Sequence, residues 1–359
     1  SRGMMYTLKG LDSVPLDHGT AKGGAKSWID DISMHANTFE GFVDLFERIM
    51  MRLSAAGMSL KAPKCLLLKP KLEVLGYYIT PDGLVMQDDK LLDFQRLRPV
   101  RDAEGKPVLA EDGKPKMVRV APTNVKEIRE FLGAVQFYRR FVPRISMLAA
   151  PMNEMLKKMK PSDPRLVEGS AAHKAAYHAV EQSFDAILMF MRSSAIVAAP
   201  DLSDPLAEMV IVADACDIAA GGALMQWQWP GGNRPEGTGE PPEGVPLRGS
   251  TLKDPLTQSW REPAGWKLRT LGYFSKTFDS AQRNYPTFDQ ESAAILFSCR
   301  HWAKLITGRP TTIYTDSAVA ATMLTKHLGT PRLQRWGMEL GTFLPYLKIQ
   351  YRKGELNGL

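Results

Sequence analysis

The chain has 359 residues, 44% hydrophobic and 24% charged, enough to bury two or three cores. It carries no apolar run of the roughly 18 residues that a membrane span needs, and no signal peptide stands at Ser1-Arg2-Gly3-Met4-Met5. Cys65, Cys216 and Cys299 are far apart and odd in number, which excludes a disulfide framework or a cysteine metal motif and makes a reducing, intracellular compartment the expectation.

Net charge is +7 and lies unevenly: residues 1–200 hold 29 Lys+Arg against 23 Asp+Glu, and residues 201–359 hold 17 against 16. A basic front half suits a polyanion; ordinary solubility charge explains it equally well. The start at Ser1 suggests a piece of a longer polypeptide.

Residues 1–27 are Gly-rich and carry little pattern. Trp28-Ile29-Asp30-Asp31, between Ala25–Ile29 and Ile32–Met34, reads as a hairpin with an acidic turn. Two carboxylates on a rigid turn can hold a divalent metal, although Asp also favours turns for its own sake. Asn37-Thr38-Phe39-Glu40 reads as a capping box. Apolar Phe39, Phe42, Val43, Phe46, Ile49, Met50 and Leu53 follow at helical spacing, and Gly57 ends the helix; this face reads as core.

Cys65–Leu68 and Leu72–Thr80 read as strands. Pro81-Asp82-Gly83 is a turn, so 74–80 and 84–86 predict a second hairpin. Residues 96–120 are polar, with Glu104-Gly105-Lys106-Pro107 nearly repeated at Asp112-Gly113-Lys114-Pro115, and predict a surface insertion with its own small hairpin. A helix opens at Asn124, with Glu127 completing a capping box, and runs to about Phe141 before Pro143. Others cover about 145–158 and 171–192.

From Glu208 the pattern changes. Strands are predicted at 209–214, 220–225, 271–275, 311–315 and 347–352, helices at about 288–306, 317–325 and 332–343, and a long loop at 227–266. The order β-β-β-α-β-α-α-β implies a mixed sheet with helices packed on it.

Asp214 and Asp316 end two predicted strands, and Glu291 lies early in the helix between them. If those strands are adjacent and parallel, both acids emerge at one sheet edge, where Glu291 can join them. Three such carboxylates repel one another unless metal neutralises them; two Mg²⁺ there suit phosphodiester cleavage. Equally, Asp316 can cap a helix and Glu291 can be a surface acid. Tyr138-Arg139-Arg140-Phe141 mixes base and aromatic as a nucleic-acid backbone contact does, and also as a solvated helix end does.

Together these motifs resemble the Pol protein of Ty3/gypsy-class long-terminal-repeat retrotransposons. Trp28-Ile29-Asp30-Asp31 is similar to the aromatic-x-Asp-Asp box of reverse transcriptase. Pro63-Lys64-Cys65 resembles the element after its helix. Leu75-Gly76-Tyr77-Tyr78-Ile79 with Pro81-Asp82-Gly83 resembles the primer grip, and Val125–Gly133 with Phe137–Pro143 and Ala150-Pro151 the thumb. Asp214-Ala215-Cys216-Asp217, Arg283–Thr287 with Glu291, Tyr314-Thr315-Asp316 and Tyr351–Glu355 resemble the tethered ribonuclease H.

The resemblance implies an α/β (α+β) chain: a partial polymerase palm over 28–95 with the primer-grip hairpin, a thumb over 121–160, a connection over 161–205, and over 206–359 a ribonuclease H-like mixed five-stranded sheet with flanking helices. It implies that Asp30 and Asp31 hold polymerase metal, that Asp214, Glu291 and Asp316 are ribonuclease H carboxylates, and that the metal is Mg²⁺ or Mn²⁺. Trp28, Gly76, Tyr77, Tyr78, Tyr138, Arg139 and Arg140 would lie against nucleic acid. The implied partners are RNA–DNA hybrid, template–primer and, in the intact enzyme, deoxynucleotides, without a membrane, in a cytoplasmic particle or the nucleus.

The family palm has a further aspartate upstream, which nothing in the 27 residues before Trp28 matches, and a fourth ribonuclease H carboxylate soon after Asn357. Trp28 replaces the usual Tyr or Phe, and the stretches at 96–120 and 227–266 are longer than the family's. The expectation is therefore a chain inactive as a polymerase and weak or inactive as a ribonuclease H. The alternative is an inactive remnant that binds nucleic acid or serves a structural role.

Overall fold

The computed structural model describes residues 2–11, 14–15, 22–102, 104–160, 171–192, 196–204, 207–229, 266–326, 329–343 and 346–353. The predicted loop at 227–266 and the tail with Glu355 and Asn357 lie almost wholly outside the described residues. The chain divides into two compact units, Ser1–Lys69 and Pro70–Leu359. No helix among the described residues is long and apolar enough to cross a membrane.

The first unit comprises α1 (Arg2–Thr7), β1 (Val14–Pro15), β2 (Lys22–Trp28), β3 (Asp31–Ala36) and α2 (Phe39–Ala55), with the strands in one antiparallel sheet. Trp28 pairs with Asp31, so Ile29-Asp30 is a two-residue hairpin turn. Thr38, not Asn37, caps α2, accepting from the Gly41 amide at 3.0 Å. The buried face of α2 is Leu45, Ile49 and Leu53, at i, i+4, i+8, packed with Leu8, Leu11 and Ala25. Phe39, Val43 and Met50, expected in the core, are exposed. Their face is the second apolar stripe of a helix that has only one covered side. The predicted strand at 65–68 does not form either: Ala62–Lys64 is a 3₁₀ turn, and Leu66, Leu67 and Leu68 are exposed without a pairing partner.

The second unit opens with a meander of β4 (Leu72–Val74), β5 (Tyr77–Thr80) and β6 (Gly83–Met86). Leu75 and Gly76 both have positive φ, and they break the predicted strand over 72–80 into two paired strands. After α3 (Asp88–Phe94), the expected insertion forms β7 (Leu97–Pro99) and β8 (Met117–Arg119). Its eight-residue near-repeat closes a ring in which Val100 bonds to Lys116, Val108 to Val100 and Lys116 to Val108, each at 2.8 Å. Ion pairs of Arg96 and Arg98 with Glu127, at 3.0 and 2.9 Å, and of Arg119 with Asp185 at 3.0 Å anchor this insertion to helices.

The helices of this region are α4 (Val125–Phe137), α5 (Ile145–Leu148), α6 (Ala150–Lys158) and α7 (Ala171–Arg192), with Glu127 on α4 and Asp185 on α7. Asn124 caps α4 through the Glu127 amide at 3.0 Å; the Glu127 side chain returns to the Thr123 amide rather than to the cap residue. α4 ends four residues earlier than expected, and Arg139–Phe141 is a 3₁₀ turn. The helix expected over 145–158 is two helices, parted at Ala149 and restarted with Pro151 in its first turn. Ile128, Phe131, Met152, Phe184, Ile187 and Leu188 form the core of this region, and Met86 and Phe94 belong to it.

The remainder is a five-stranded mixed sheet in the order β11 (Lys267–Thr277), β10 (Ala219–Gln228), β9 (Met209–Cys216), β12 (Thr311–Thr315), β13 (Leu347–Tyr351). β9, β10 and β11 are antiparallel; β12 runs parallel to both β9 and β13. α8 (Thr287–Ile306), α9 (Ala318–Lys326) and α10 (Pro331–Leu340) pack on it. A Cβ on Gly222 would lie 2.5 Å from Ser298 Oγ, so glycine lets α8 approach β10 closely. This is the mixed sheet with packed helices that the element order implies, and the ribonuclease H-like architecture that the resemblance implies.

Leu84 and Val197 bridge the meander to the segment after α7, with bonds of 2.8 and 3.1 Å. Gly83 beside them has φ +133°, and a Cβ there would lie 2.4 Å from the Val197 carbonyl oxygen. Backbone on both sides cannot yield as a side chain does. Gly83→Ala is expected to destabilise the second unit by about 2–4 kcal/mol, read as a lowered urea midpoint; an unchanged midpoint would contradict this account of the junction.

Candidate catalytic carboxylate site

Parallel pairing of β9 with β12 places Ile211 beside Ile313 and Val212 beside Tyr314. Asp214 follows within β9 and Asp316 directly follows β12, so both emerge at the same end of adjacent strands. Glu291, in the second turn of α8, reaches them from the helix layer. One oxygen from each of Asp214, Glu291 and Asp316 can be chosen so that all three lie within 4.8 Å of one another.

The bland alternatives fail on particular contacts. Ser317, not Asp316, caps α9: its Oγ accepts from the Ala320 amide at 3.1 Å, leaving Asp316 outside the cap. Glu291 is not a surface acid but is buried, 6% exposed, and its Oε2 has no hydrogen-bond partner. Burial, then the charges of Asp316 and Asp214, push the Glu291 carboxyl up to about 8, against the opposing Ala215 amide. Burial also raises Asp214, with Arg144 opposing and Asp316 adding to the effect. An orphaned buried oxygen among three convergent carboxylates fits a hard divalent cation, which takes oxygen ligands.

Two further features escaped the sequence. Arg144 Nη2 donates to Asp214 Oδ2 at 2.8 Å. Asp289, buried one turn-half before Glu291, accepts from Arg332 Nη1 at 2.7 Å, and the Arg332 guanidinium lies 3.7 Å over the Tyr285 ring. Arg332 thereby ties α10 to the start of the helix that carries Glu291. The sequence signal for Arg144 is a basic residue within a largely apolar segment; Arg332, among polar and basic neighbours, carries none.

The remaining predicted residues lie elsewhere. Trp28, Asp30 and Asp31 are exposed at the first unit's hairpin, where Ile29 has φ 55°, a strained value for a β-branched residue. Tyr138 is a correction: expected to face nucleic acid, it is buried, and its hydroxyl donates to the Gly76 carbonyl at 2.9 Å. The reason is that α4 stops at Phe137, turning Tyr138 inward. Tyr77 stacks on Phe137 with centroids 5.0 Å apart and donates to the Phe137 carbonyl at 2.9 Å. Tyr78 lies under Lys71 Nζ at 3.5 Å. Arg139 donates to the Ser275 carbonyl at 2.6 Å, and Arg140 is exposed.

Comparison with known proteins bears on the fold that carries these residues. The family model described as the RNase H-like domain found in reverse transcriptase matches residues 256–343. The Retrovirus-related Pol polyprotein from transposon 297 of Drosophila melanogaster is 22% identical over 332 residues, covering 92% of this chain and 24% of that protein. The Transposon Tf2-3 polyprotein of Schizosaccharomyces pombe is 24% identical over 342 residues, covering 92% and 20%. Foamy viral protease-reverse transcriptase in complex with dsDNA superimposes with TM-score 0.62 at 14% identity, covering 98% of this chain and 57% of that one. Its complex with RNA/DNA hybrid gives 0.59 at 15%, covering 92% and 36%.

The fold is ribonuclease H-like, and residues 256–343 match a domain of the kind found in reverse transcriptase. The chain is similar to the Pol polyproteins of retrotransposons, and it spans about a quarter or less of the length of the curated relatives it matches.

The raised Glu291 carboxyl has a consequence for stability. Below its unfolded value of 4.5 both states hold the proton; between 4.5 and about 8 the folded state holds more protons than the unfolded one. Metal-free stability therefore falls as pH rises through that window, by a few kcal/mol at most, and levels off above it. Thermal melts in chelator are expected to show this fall, and Glu291→Gln to flatten it. An equal slope in both proteins would refute the assignment.

Proposed function

We propose that Asp214, Glu291 and Asp316 form the catalytic centre of a ribonuclease H acting on the RNA strand of RNA–DNA hybrids, in a chain from a Ty3/gypsy-type element. The observation that carries this reading is the convergence of three carboxylates within 4.8 Å, one of them buried with an unpartnered oxygen. Such a set suits Mg²⁺ or Mn²⁺, which when bound activates water and stabilises the leaving oxygen of a phosphodiester. The chain's own contribution is placement. Two adjacent parallel strands fix Asp214 and Asp316, and α8 delivers Glu291 from the opposite layer. Burial on the helix side keeps Glu291 away from bulk water, which strengthens its attraction to a cation.

The same reading takes 28–95 as part of a polymerase palm, 121–160 as thumb, 161–205 as connection and 206–359 as the ribonuclease H domain. Asp30 and Asp31 would then hold metal for nucleotide addition in the intact enzyme. Tyr78, exposed Arg140 and the basic front half would face template–primer or hybrid. The foamy viral neighbours, whose complexes hold dsDNA and RNA/DNA hybrid, support nucleic acid as the partner.

The test is cleavage of a labelled RNA strand in a hybrid, with the same RNA in duplex RNA as control. Weak cleavage is expected with Mg²⁺ or Mn²⁺, as befits a set of three carboxylates, confined to the hybrid and abolished by Asp214→Asn or Glu291→Gln with hybrid affinity retained. A chain that binds hybrid and never cleaves it with either ion would overturn the enzymatic reading in favour of a nucleic-acid-binding remnant.

A further inference from the structure

We infer that Arg144 is a built-in competitor for the carboxylate site, so that a divalent cation binds there only as the Arg144 guanidinium leaves Asp214. The inference rests on the metal-site reading above and deepens it.

Three observations carry it. First, Arg144 Nη2 lies 2.8 Å from Asp214 Oδ2, and both side chains are partly shielded, 35% and 23% exposed. At that separation a guanidinium and a divalent ion on one carboxylate repel strongly. Second, Arg144 has φ 48° and ψ 29°, the left-handed conformation that a residue with a Cβ rarely adopts. Local anchors maintain it: Met147 and Leu148 amides donate to the Arg144 carbonyl at 2.9 and 3.0 Å. Arg139 donates to the Ser275 carbonyl at 2.6 Å, and the Ser146 amide to Ser275 Oγ at 3.2 Å. The turn is thus pinned to β11 on both sides of Arg144. Third, Arg144 Nε is buried and finds no acceptor. A guanidinium serving only structure would be expected to satisfy that donor; this one is committed at its tip to Asp214.

A cation that neutralises Asp214 in the absence of metal lowers the repulsion within the triad. The same cation has to be displaced, or to share the carboxylate at an electrostatic cost, when metal enters. Removing its charge should therefore tighten metal binding while leaving the three ligands in place.

Mn²⁺ titration of the whole chain without nucleic acid, followed by the electron paramagnetic resonance of free Mn²⁺, tests this. Arg144→Gln is expected to bind Mn²⁺ roughly tenfold more tightly than the wild type, from the loss of one nearby positive charge. Arg144→Lys keeps the charge and should stay within about threefold of wild type. Arg144→Met gives a second neutral variant in case Gln does not fold, as judged by circular dichroism. Equal affinity in wild type and the neutral variants would overturn the inference and leave the metal site standing. Affinity unchanged by Asp214→Asn would mean that Mn²⁺ sits elsewhere, and both readings would fall. Loss of fold in both neutral variants would also overturn it, because a side chain the fold requires is not a displaceable competitor.

Discussion

Parallel pairing of β9 with β12 fixes where two acids can stand. Because adjacent parallel strands present the same end to the same side, Asp214 and Asp316 share one edge whatever the rest of the chain does. α8 then has to cover the sheet with Ala293, Ala294, Leu296 and Phe297, all buried, and in doing so it carries Glu291 into the same space. Full ionisation of all three acids at this spacing would oppose folding by an amount on the order of a few kcal/mol at an effective dielectric of about 20, and the proton that Glu291 holds up to about pH 8 relieves part of it. The apolar core around α8 and the sheet more than offsets that. The carboxylates meet where the hydrophobic layers close.

The first unit uses a different device. Asp30 and Asp31 are exposed on a hairpin, with no burial to define them. Their geometry comes from the two-residue turn, whose cost is the positive φ of Ile29. A turn fixes direction cheaply but leaves the acids solvated and their charges screened. At the sheet edge the charges are concentrated, and burial raises the proton affinity of Asp214 and Glu291. Clustered carboxylates are therefore held loosely in one unit and under electrostatic load in the other.

What was legible in the sequence follows from how far each element depends on its neighbours. α7, α8 and β12 lie at or within a residue of their expected bounds, since long periodic runs and β-branched strands carry their own signal. The triad was legible once strand adjacency was assumed. Leu66–Leu68 misled because an apolar run needs a partner to become a strand, and none pairs with it. Phe39, Val43 and Met50 misled because a helix with two apolar stripes does not say which one is covered. Tyr138 changed sides because helical phase carried past the true end at Phe137 assigns the wrong face. Arg144 was beyond local reading: its role depends on a strand 70 residues away.

The turn holding Arg144 also explains why the helical segment and the sheet behave as one compact unit. Arg139 and Ser146 both bond to Ser275 on β11, and Arg144 between them reaches β9. Backbone acceptors on an outer strand give the docking its position, and an acidic side chain on the central strand gives it charge complementarity. The first kind of contact is indifferent to what occupies the carboxylate site. The second is not, since any cation there competes for Asp214. Positional and electrostatic parts of the same interface thus respond differently to ligand, and a short strained turn is enough to connect the chemistry at the sheet edge to the helices packed beside it.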